Sequence, residues 1–369
     1  MRFVALLSWI VFGLAFVLAA RWPGLARILG GLSRQHRIHH IVGLATGLLS
    51  GIHLIHQIWK DPEVAFYFED PFLLLGWIAL VLLLIGLALS FAGRLHHRWW
   101  LILHWSLAAA YVAALVHGWG FLHFGRWHQA LFWVGLGLGG LGLTLIFLYR
   151  WRGQSWVVQE VRNTGSGLWE LILKPSDRKV VAPRAGSLIY LQFGSGFSAG
   201  WHPFSVASCR LSPELHVLIK NAGMDTSHLS DMKPGHILRL QGPFTEFQIS
   251  DEPQLWVAAG AGLAPFLGMA RCFDYAKAGS VELCLFEAHP EPTVEAELER
   301  LSNEHQEFRW KAHYGQAADF SVLREAATHR PNSRILICGS PAFMRKARKY
   351  LQSSGVQDAR IHTEEFVPW

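Results

Sequence analysis

The chain has 369 residues, 51% of them hydrophobic and 16% charged, with a net charge of +6. These proportions are unusual for a soluble enzyme and ordinary for a protein that joins a membrane part to a soluble part. Residues 1–150 contain only four acidic side chains. We therefore attribute the positive charge to membrane topology and expect lipid, and no nucleic acid, as a partner.

The four cysteines (Cys209, Cys272, Cys284 and Cys338) all lie in the second half of the chain, without C-x-x-C spacing. This distribution argues against a zinc site, a plant-type iron–sulfur cluster or a disulfide framework. The simplest setting for that half is reducing and cytoplasmic.

Apolar stretches in the first half have the length that crosses roughly 30 Å of hydrocarbon. Five are expected to be transmembrane helices: 3–20, 41–59, 71–92, 99–121 and 130–149. Arginines concentrate after the first, third and fifth stretches. The positive-inside rule then predicts a multi-pass protein of the cell (inner) membrane, with its amino terminus outside and the soluble half in the cytoplasm.

Paired histidines accompany two of these stretches: His39, two residues before the second stretch, with His53 inside it, and His104 with His117 inside the fourth. Ionisable residues inside a membrane are costly and are usually functional. Both stretches run outward, so His39 lies at the depth of His104, and His53 at the depth of His117. The two levels are about 21 Å apart along a helix axis. We expect His39 and His104 to ligate an inner haem iron, and His53 and His117 an outer one.

The angular spacing of the histidines favours this arrangement only in part. Fourteen residues return His53 to within about 40° of His39, whereas thirteen leave His117 about 140° from His104 on an ideal helix. The second of these stretches therefore needs a local bulge or a tilt. The alternative is that His104 and His117 only hydrogen-bond to neighbouring helices.

From about residue 155 the pattern changes to short alternating apolar segments, which predict a soluble antiparallel β-barrel. After residue 255 it becomes strand–loop–helix, which predicts an α/β domain with a parallel sheet. We therefore expect a membrane all-α bundle at 1–152, a barrel domain at 153–250 and a nucleotide domain at 251–369. The soluble part carries three motifs, which are His202-Pro203-Phe204-Ser205, Gly260-x-Gly262-x-x-Pro265 and Cys338-Gly339-x-Pro341.

In this order the motifs resemble the ferric reductase/NADPH oxidase family, in which a transmembrane haem b domain is fused to a ferredoxin-reductase-like flavoprotein. The resemblance spans nearly the whole chain and implies FAD, two haem b groups, and NADH or NADPH. It departs from the family pattern in showing five apolar spans where six are common. Three residues also follow Phe366, so Trp369 is a second candidate for the ring that stacks on the flavin.

The resemblance also implies roles for individual residues. The flavin-binding residues would be His202, Pro203, Phe204, Ser205, Gly223 and Thr226. The dinucleotide-binding residues would be Gly260, Gly262, Pro265, Cys338, Gly339 and Pro341. Cys338 and Phe366 would act at the hydride step, with the ring of Phe366 yielding its place on the flavin to the nicotinamide.

The implied activity is an NAD(P)H oxidase or ferric-chelate reductase. It would carry electrons from cytoplasmic NAD(P)H through FAD and two haems to an outer acceptor, either oxygen or a ferric complex. The alternative is a membrane-anchored NAD(P)H–flavin reductase without stacked haems, which passes electrons to a quinone or a redox partner protein. A more distant alternative is a redox-sensing module without enzymatic function. Glu287 ends the second strand of the nucleotide module and slightly favours NADH over NADPH.

Overall fold

The computed structural model describes residues 2–90, 100, 103–122, 125–165, 168–177, 180–193, 200–209, 214–220, 232–244, 247, 250–272, 279–315 and 318–363. The chain divides into two compact units, Met1–Arg152 and Gly153–Trp369. The first unit is helical, and the second contains two β-sheets with helices.

The helices of the first unit are α1 (Arg2–Ala19), α2 (Pro23–Leu29), α3 (Leu32–Lys60), α4 (Pro62–Ala65), α5 (Pro71–Ser90), α6 (Ser106–Trp119) and α7 (Arg126–Trp151). Among the described residues, four helices are long and apolar enough to cross a membrane, namely α1, α3, α5 and most of α7. The described part of the fourth predicted span is the shorter apolar helix α6. The predicted membrane bundle is confirmed, although α3 begins nine residues earlier than expected.

An aromatic cluster joins α1 to α6 and α7. The ring of Trp9 stacks on Tyr111 with 4.2 Å between centroids, and its indole N–H donates to the carbonyl of Phe132 over 3.0 Å. The hydroxyl of Tyr111 donates to the carbonyl of Gly135 over 2.8 Å. These polar atoms have no water to bind within an apolar bundle, so main-chain carbonyls satisfy them.

Polar contacts also fix α1 against α3. The amide nitrogen of Gln35, which is fully buried, donates to the carbonyls of Leu18 and Ala20 at the end of α1. The hydroxyl of Ser8 donates to the carbonyl of Thr46. A helix end in hydrocarbon must find such partners, because each unpaired carbonyl there costs several kcal/mol.

The first sheet of the second unit is antiparallel, with the order β4-β3-β6-β1-β2-β5. Its strands are β1 (Gln154–Gly165), β2 (Leu168–Pro175), β3 (Leu188–Gln192), β4 (Trp201–Ser205), β5 (Leu215–Lys220) and β6 (Ile237–Gln241). A bridge between Val206 and Val217 brings the two edges of this order together. The inward side chains, including Trp156, Leu171 and Val217, form one buried core.

The second sheet is parallel, with the order β11-β10-β7-β8-β9. Its strands are β7 (Gln254–Ala259), β8 (Val281–Glu287), β9 (Phe308–Tyr314), β10 (Arg334–Cys338) and β11 (Ile361–Thr363). The helices that connect them are α8 (Ala264–Arg271), α9 (Pro292–Glu304), α10 (Ser321–His329) and α11 (Pro341–Ser353). Separate buried clusters cover its two faces, as expected of a doubly wound sheet.

The tight packing of α7 gives a stability prediction. A Cβ at Gly139 would overlap the ring of Tyr111, whereas a Cβ at the adjacent Gly140 meets nothing within 4 Å. We expect Gly139→Ala to destabilise the protein by about 1–3 kcal/mol through overpacking. Thermal denaturation of the purified protein measures this loss. Gly140→Ala is the matched control, and an equal fall in Tm for both variants would contradict the packing.

Candidate functional site

The inner histidine pair lies on α3 and just before α6. The Nδ1 of His39 is 2.9 Å from the carbonyl oxygen of Ala15 on α1. This contact fixes the proton on Nδ1 and leaves Nε2 as a free lone pair, the arrangement that is typical of metal-ligating histidines. The rings of His39 and His104 have centroids 6.4 Å apart.

The outer pair is built in the same way. The Nδ1 of His117 is 2.7 Å from the carbonyl oxygen of Phe72. Gly76 makes room for this ring, since a Cβ there would lie 2.7 Å from His117 Nδ1. His53 is close enough to His117 to interact with it electrostatically. Its own Nδ1 is buried and has no hydrogen-bond partner among the described residues.

The spacing of the inner pair can be compared with that of two axial ligands. An imidazole–metal bond is about 2 Å long and the bound nitrogen lies about 1.1 Å from the ring centre, so two axial rings have centroids about 6.2 Å apart. The observed 6.4 Å between the centroids of His39 and His104 is close to this value, although it also lies within the range of about 4.5–7 Å for ordinary ring contacts, and the ring planes meet at 63°. No cluster of three or more metal-ligating side chains occurs in the described part of the chain. Axial haem ligation needs only two.

The helices that carry these histidines leave room beside the rings. Within the described ranges, α3 packs on α1, α2, α4 and α5, while α6 packs on α5, α1 and α7, so α3 and α6 have at most marginal contact. His39 and His104 line a cavity of about 40 Å³. A macrocycle needs several times this space, so the helices that line the cavity would have to move apart to admit one. Gly51 faces open space, with nothing within 4 Å of its Cβ position.

The angular mismatch expected between His104 and His117 is reduced by a turn. Helical residues before Trp105 are separated from α6 by this turn, and the amide of Ala108 donates to the Trp105 carbonyl, three residues back. A turn of this type advances about 120° per residue instead of 100°, so it rotates His117 toward the face of His104.

The H-P-F-S motif forms strand β4 at one edge of the strand order. Trp201 and Ser205 at its ends are buried, whereas the three residues between them are half-exposed. The hydroxyl of Ser205 is buried without a hydrogen-bond partner among the described residues. A half-exposed strand surface that ends at an unpaired hydroxyl fits a flat, polar-edged cofactor such as a flavin.

The glycine loop and the C-G-x-P segment are neighbours in space. Both follow adjacent parallel strands, since β7 pairs with β10. A Cβ at Gly262 would overlap the carbonyl of Cys338, so only glycine allows this approach. Gly260 adopts a left-handed φ of +58°. Pro265 stands in the first turn of α8, which continues directly from the short helical turn Gly260–Leu263. Cys338 itself is fully buried.

Two charged residues flank this loop. The carboxylate of Glu287, at the end of β8, accepts a hydrogen bond from the backbone of Gly260 and lies near the ammonium of Lys220. Burial raises the pKa of Glu287 and the nearby Glu291 adds to this effect, whereas Lys220 opposes it. The end of strand β5 and the end of β8 therefore meet at the glycine loop.

The helix α8 is also fixed to the antiparallel sheet at its far end. A Cβ at Gly268 would lie 2.5 Å from the carbonyl oxygen of Val206, so the backbones are in direct contact. Arg271 donates to the carbonyl of Ala207 over 2.7 Å and to Glu170 over 3.2 Å. It also makes a two-point ion pair with Glu297.

A disulfide between Cys209 and Cys272 crosses the same interface. The spacing of the cysteines had argued against disulfides, and for this pair the expectation was wrong. The two residues are 63 positions apart and meet only because α8 packs on the segment that follows β4. Arg271, Glu170 and this pair were all missed by sequence reasoning, since no local pattern shows which segments pack together.

Some expected site residues lie outside the described residues. These are Gly223, Thr226, Phe366 and Trp369. Their proposed roles in binding the flavin rest on the resemblance alone. The remaining site residues belong to three groups, which are the histidine pairs of the membrane unit, strand β4, and the glycine loop with the neighbouring C-G-x-P segment.

The fold and these motifs define an oxidoreductase, with a ferredoxin-reductase-like unit joined to a membrane helical unit. Residues 4–115 match the family described as "Ferric reductase like transmembrane component". This match includes His39, His53 and His104, and ends two residues before His117. The resemblance to the ferric reductase/NADPH oxidase architecture is thereby confirmed.

The second unit is similar to soluble reductases. The chain is 27% identical over 230 residues to "Ferredoxin--NADP reductase B" of Sorangium cellulosum, covering 56% of this chain and 94% of that protein. Among solved structures, the Amycolatopsis cytochrome P450 reductase GcoB aligns with a TM-score of 0.51 at 20% identity, covering 59% of this chain and 70% of that one. The CS-b5R domains of human Ncb5or align with a TM-score of 0.50 at 18% identity, covering 57% and 69%. These structural matches support the fold.

The Glu170 contacts give a pH-dependent stability prediction. Burial disfavours the carboxylate, but the nearby His216 and the positive charge of Arg271 outweigh it and hold the pKa of Glu170 below the ordinary value for a glutamate. A carboxyl with a lowered pKa stabilises the fold at neutral pH and loses that contribution as pH falls through the folded-state value. We expect Glu170→Gln to cost about 1–3 kcal/mol at pH 7 and much less near pH 3.5.

Thermal denaturation at both pH values tests this prediction. The control is Glu160→Gln, which removes an exposed carboxylate from the neighbouring strand. A deficit for Glu170→Gln that is the same at pH 7 and pH 3.5 would show that charge is not the cause.

Proposed function

We propose that the protein carries electrons from cytoplasmic NAD(P)H, through FAD and two haem b groups, to an acceptor on the outer side of the membrane. The main support is the inner histidine pair, which combines axial-ligand spacing with a fixed Nδ1 inside a match to a ferric-reductase-like component. The reductase fold of the second unit supports the cytoplasmic step, in which NAD(P)H would reduce FAD. The arginine distribution supports the orientation.

The residues of the membrane unit would hold and orient the two haems. His39 and His104 would hold the inner haem, and His53 and His117 the outer haem. Carbonyls of Ala15 and of the α5 start keep the bound tautomer in place. The apolar helices exclude water from the rings, which keeps the four imidazoles neutral and able to ligate. A haem held by two of these imidazoles would supply single-electron transfer, and its iron would not be open to oxygen.

The residues of the second unit would bind and position FAD and the nicotinamide nucleotide. When bound, FAD supplies the chemistry that accepts a hydride from a nicotinamide. His202, Pro203 and Phe204 would cover its ring, with the Ser205 hydroxyl at the polar edge. Amides after Gly260 would receive the pyrophosphate at the start of α8. Phe366 would cover the flavin until the nicotinamide replaces it beside Cys338.

The proposed acceptor is a small molecule, either oxygen or a ferric complex. The predicted outer surface carries His56, Arg126 and His128, and also His123, which lies outside the described residues. The positive charge of Arg126 suits both superoxide and an anionic chelate. Superoxide detection and ferrous-chelate formation, measured on intact cells, separate the two acceptors.

The deciding experiment is an anaerobic absorbance spectrum of the purified protein before and after NADH or NADPH. Two haems per chain, both reduced by the nucleotide, are expected. Folded protein that contains FAD but lacks a Soret band would refute the haem proposal. It would favour the membrane-anchored flavin reductase.

A histidine substitution separates the two haems. We expect His53→Ala to halve the haem content and to reduce outward electron transfer at least a hundredfold, because an axial ligand is lost. Flavin reduction by NAD(P)H should stay within about twofold of wild type. Haem quantitation and stopped-flow flavin absorbance measure these effects. His56→Ala, one turn further along α3, is the matched control for haem content and flavin reduction, and full haem content in His53→Ala would contradict the assignment.

Nucleotide preference depends on Glu287. Its carboxylate borders the glycine loop, where a negative charge repels a 2′-phosphate. We expect Glu287→Gln to raise the ratio of kcat/KM for NADPH over NADH about tenfold, equivalent to about 1.4 kcal/mol. Steady-state kinetics with both nucleotides measure the ratio. Glu282→Gln removes the same charge nearer the other end of β8 and should leave the ratio unchanged.

A further inference from the structure

We propose that Cys209 and Cys272 form a reversible disulfide latch, opened by thiols and closed by peroxides or small disulfides, that fixes the helix after the dinucleotide loop to the flavin-side sheet. Cys209 follows the H-P-F-S strand by four residues. Cys272 is the C-cap residue of α8, the helix that begins after Gly260–Leu263. The latch therefore joins the ends of two segments that carry the proposed cofactor contacts.

The accessibility of the four cysteines differs. Cys284 and Cys338 are buried free thiols. Cys209 and Cys272 are half-buried, so reagents in solution reach this pair far more readily. Burial raises the pKa of Cys284 to about 12, with the carboxylate of Glu282 adding to the effect, and leaves that thiol inert. Oxidation is thereby directed to one pair.

Contacts that do not involve sulfur hold the same interface. Arg271, next to Cys272, donates to the carbonyl of Ala207, two residues before Cys209. The backbone at Gly268 packs directly on Val206 and Ala207. These contacts remain after the disulfide is reduced, with the Cα atoms of the pair still near their present 4.8 Å. This distance lies within the range that a disulfide requires, so the thiols stay poised to close again.

The chemistry is a two-electron exchange. Closing by hydrogen peroxide forms one S–S bond and converts the peroxide to two waters, which take up the two thiol protons and two electrons. Opening by two glutathione thiols returns two cysteine thiols and leaves one glutathione disulfide. The second unit is expected in the cytoplasm, whose glutathione pool supplies this reductant.

Closing the latch has two expected consequences. It closes a loop of 63 residues, which restricts the unfolded chain and raises the Tm by about 5–15 °C. It also fixes α8, so less ordering is needed when the dinucleotide binds to the loop. Reduction of the latch should therefore raise the KM for the preferred nucleotide about threefold.

The first test counts thiols in the full-length protein without using activity. Peroxide-treated protein, denatured and alkylated with a maleimide that adds mass, should show two labelled cysteines, and protein treated with 10 mM reduced glutathione should show four. Return to two after fresh peroxide, with the 209–272 pair identified by peptide mapping, establishes reversibility. Four labelled cysteines in every sample, or a pair that native glutathione never reduces, would overturn the proposal.

The second test compares variants by Tm. Cys209→Ser and Cys272→Ser should each remove the difference between oxidised and reduced protein, and the double variant should lose no more than either alone. Cys284→Ser should retain the full difference. A difference that persists in Cys209→Ser would refute the latch.

The KM readout rests on the proposed function, whereas thiol counts and Tm do not. A reversible Tm shift without a KM change would limit the latch to stability and overturn its coupling to the nucleotide loop. Loss of NAD(P)H oxidation in all samples, with thiol counts as expected, would instead count against the proposed function.

Discussion

The membrane unit depends on how buried imidazoles are satisfied. A histidine ring has two nitrogens, and in hydrocarbon an unpaired one is costly unless a ligand takes it. The rings of His39 and His117 each assign Nδ1 to a main-chain carbonyl, at Ala15 and Phe72. This leaves Nε2 as a lone pair inside the bundle. A free Nε2 of this kind is what the proposed haem ligation would use.

The fold was largely predictable because long apolar runs, and the alternation of apolar with polar residues, both indicate which side chains are buried. The apolar runs gave the membrane helices, and alternating segments such as that around Trp156 gave the antiparallel strands. Strands β9 and β11 were not foreseen. β9 lies at a sheet edge and alternates Phe308 and Trp310 with exposed Arg309 and Lys311, a period-2 signal that was missed. β11 has only three residues, too few for any periodic signal.

The depth of each histidine in the membrane and the order of the motifs could be predicted, but the rotation of the histidines about their helix axes could not. The number of residues along a helix, at a rise of about 1.5 Å each, gives the depth of a side chain, and this placed His39 and His104 at one level. The rotation of His117 depends on the turn at Trp105, which no count reveals. Contacts between distant segments were equally hidden, since Arg271 and Glu170 are 101 residues apart and meet only through tertiary packing.

The helix α8 is one of the elements that connect the two parts of the second unit. Its eight residues span about 12 Å, and it begins at the dinucleotide loop and ends at Cys272. A short buried helix is stiff, so a constraint at its end is also a constraint on the loop at its start. Arg271 supplies a constraint that is always present, and the disulfide adds one that depends on redox conditions. The position of the loop relative to the H-P-F-S strand is therefore held by two chemically independent contacts, of which only one responds to thiols.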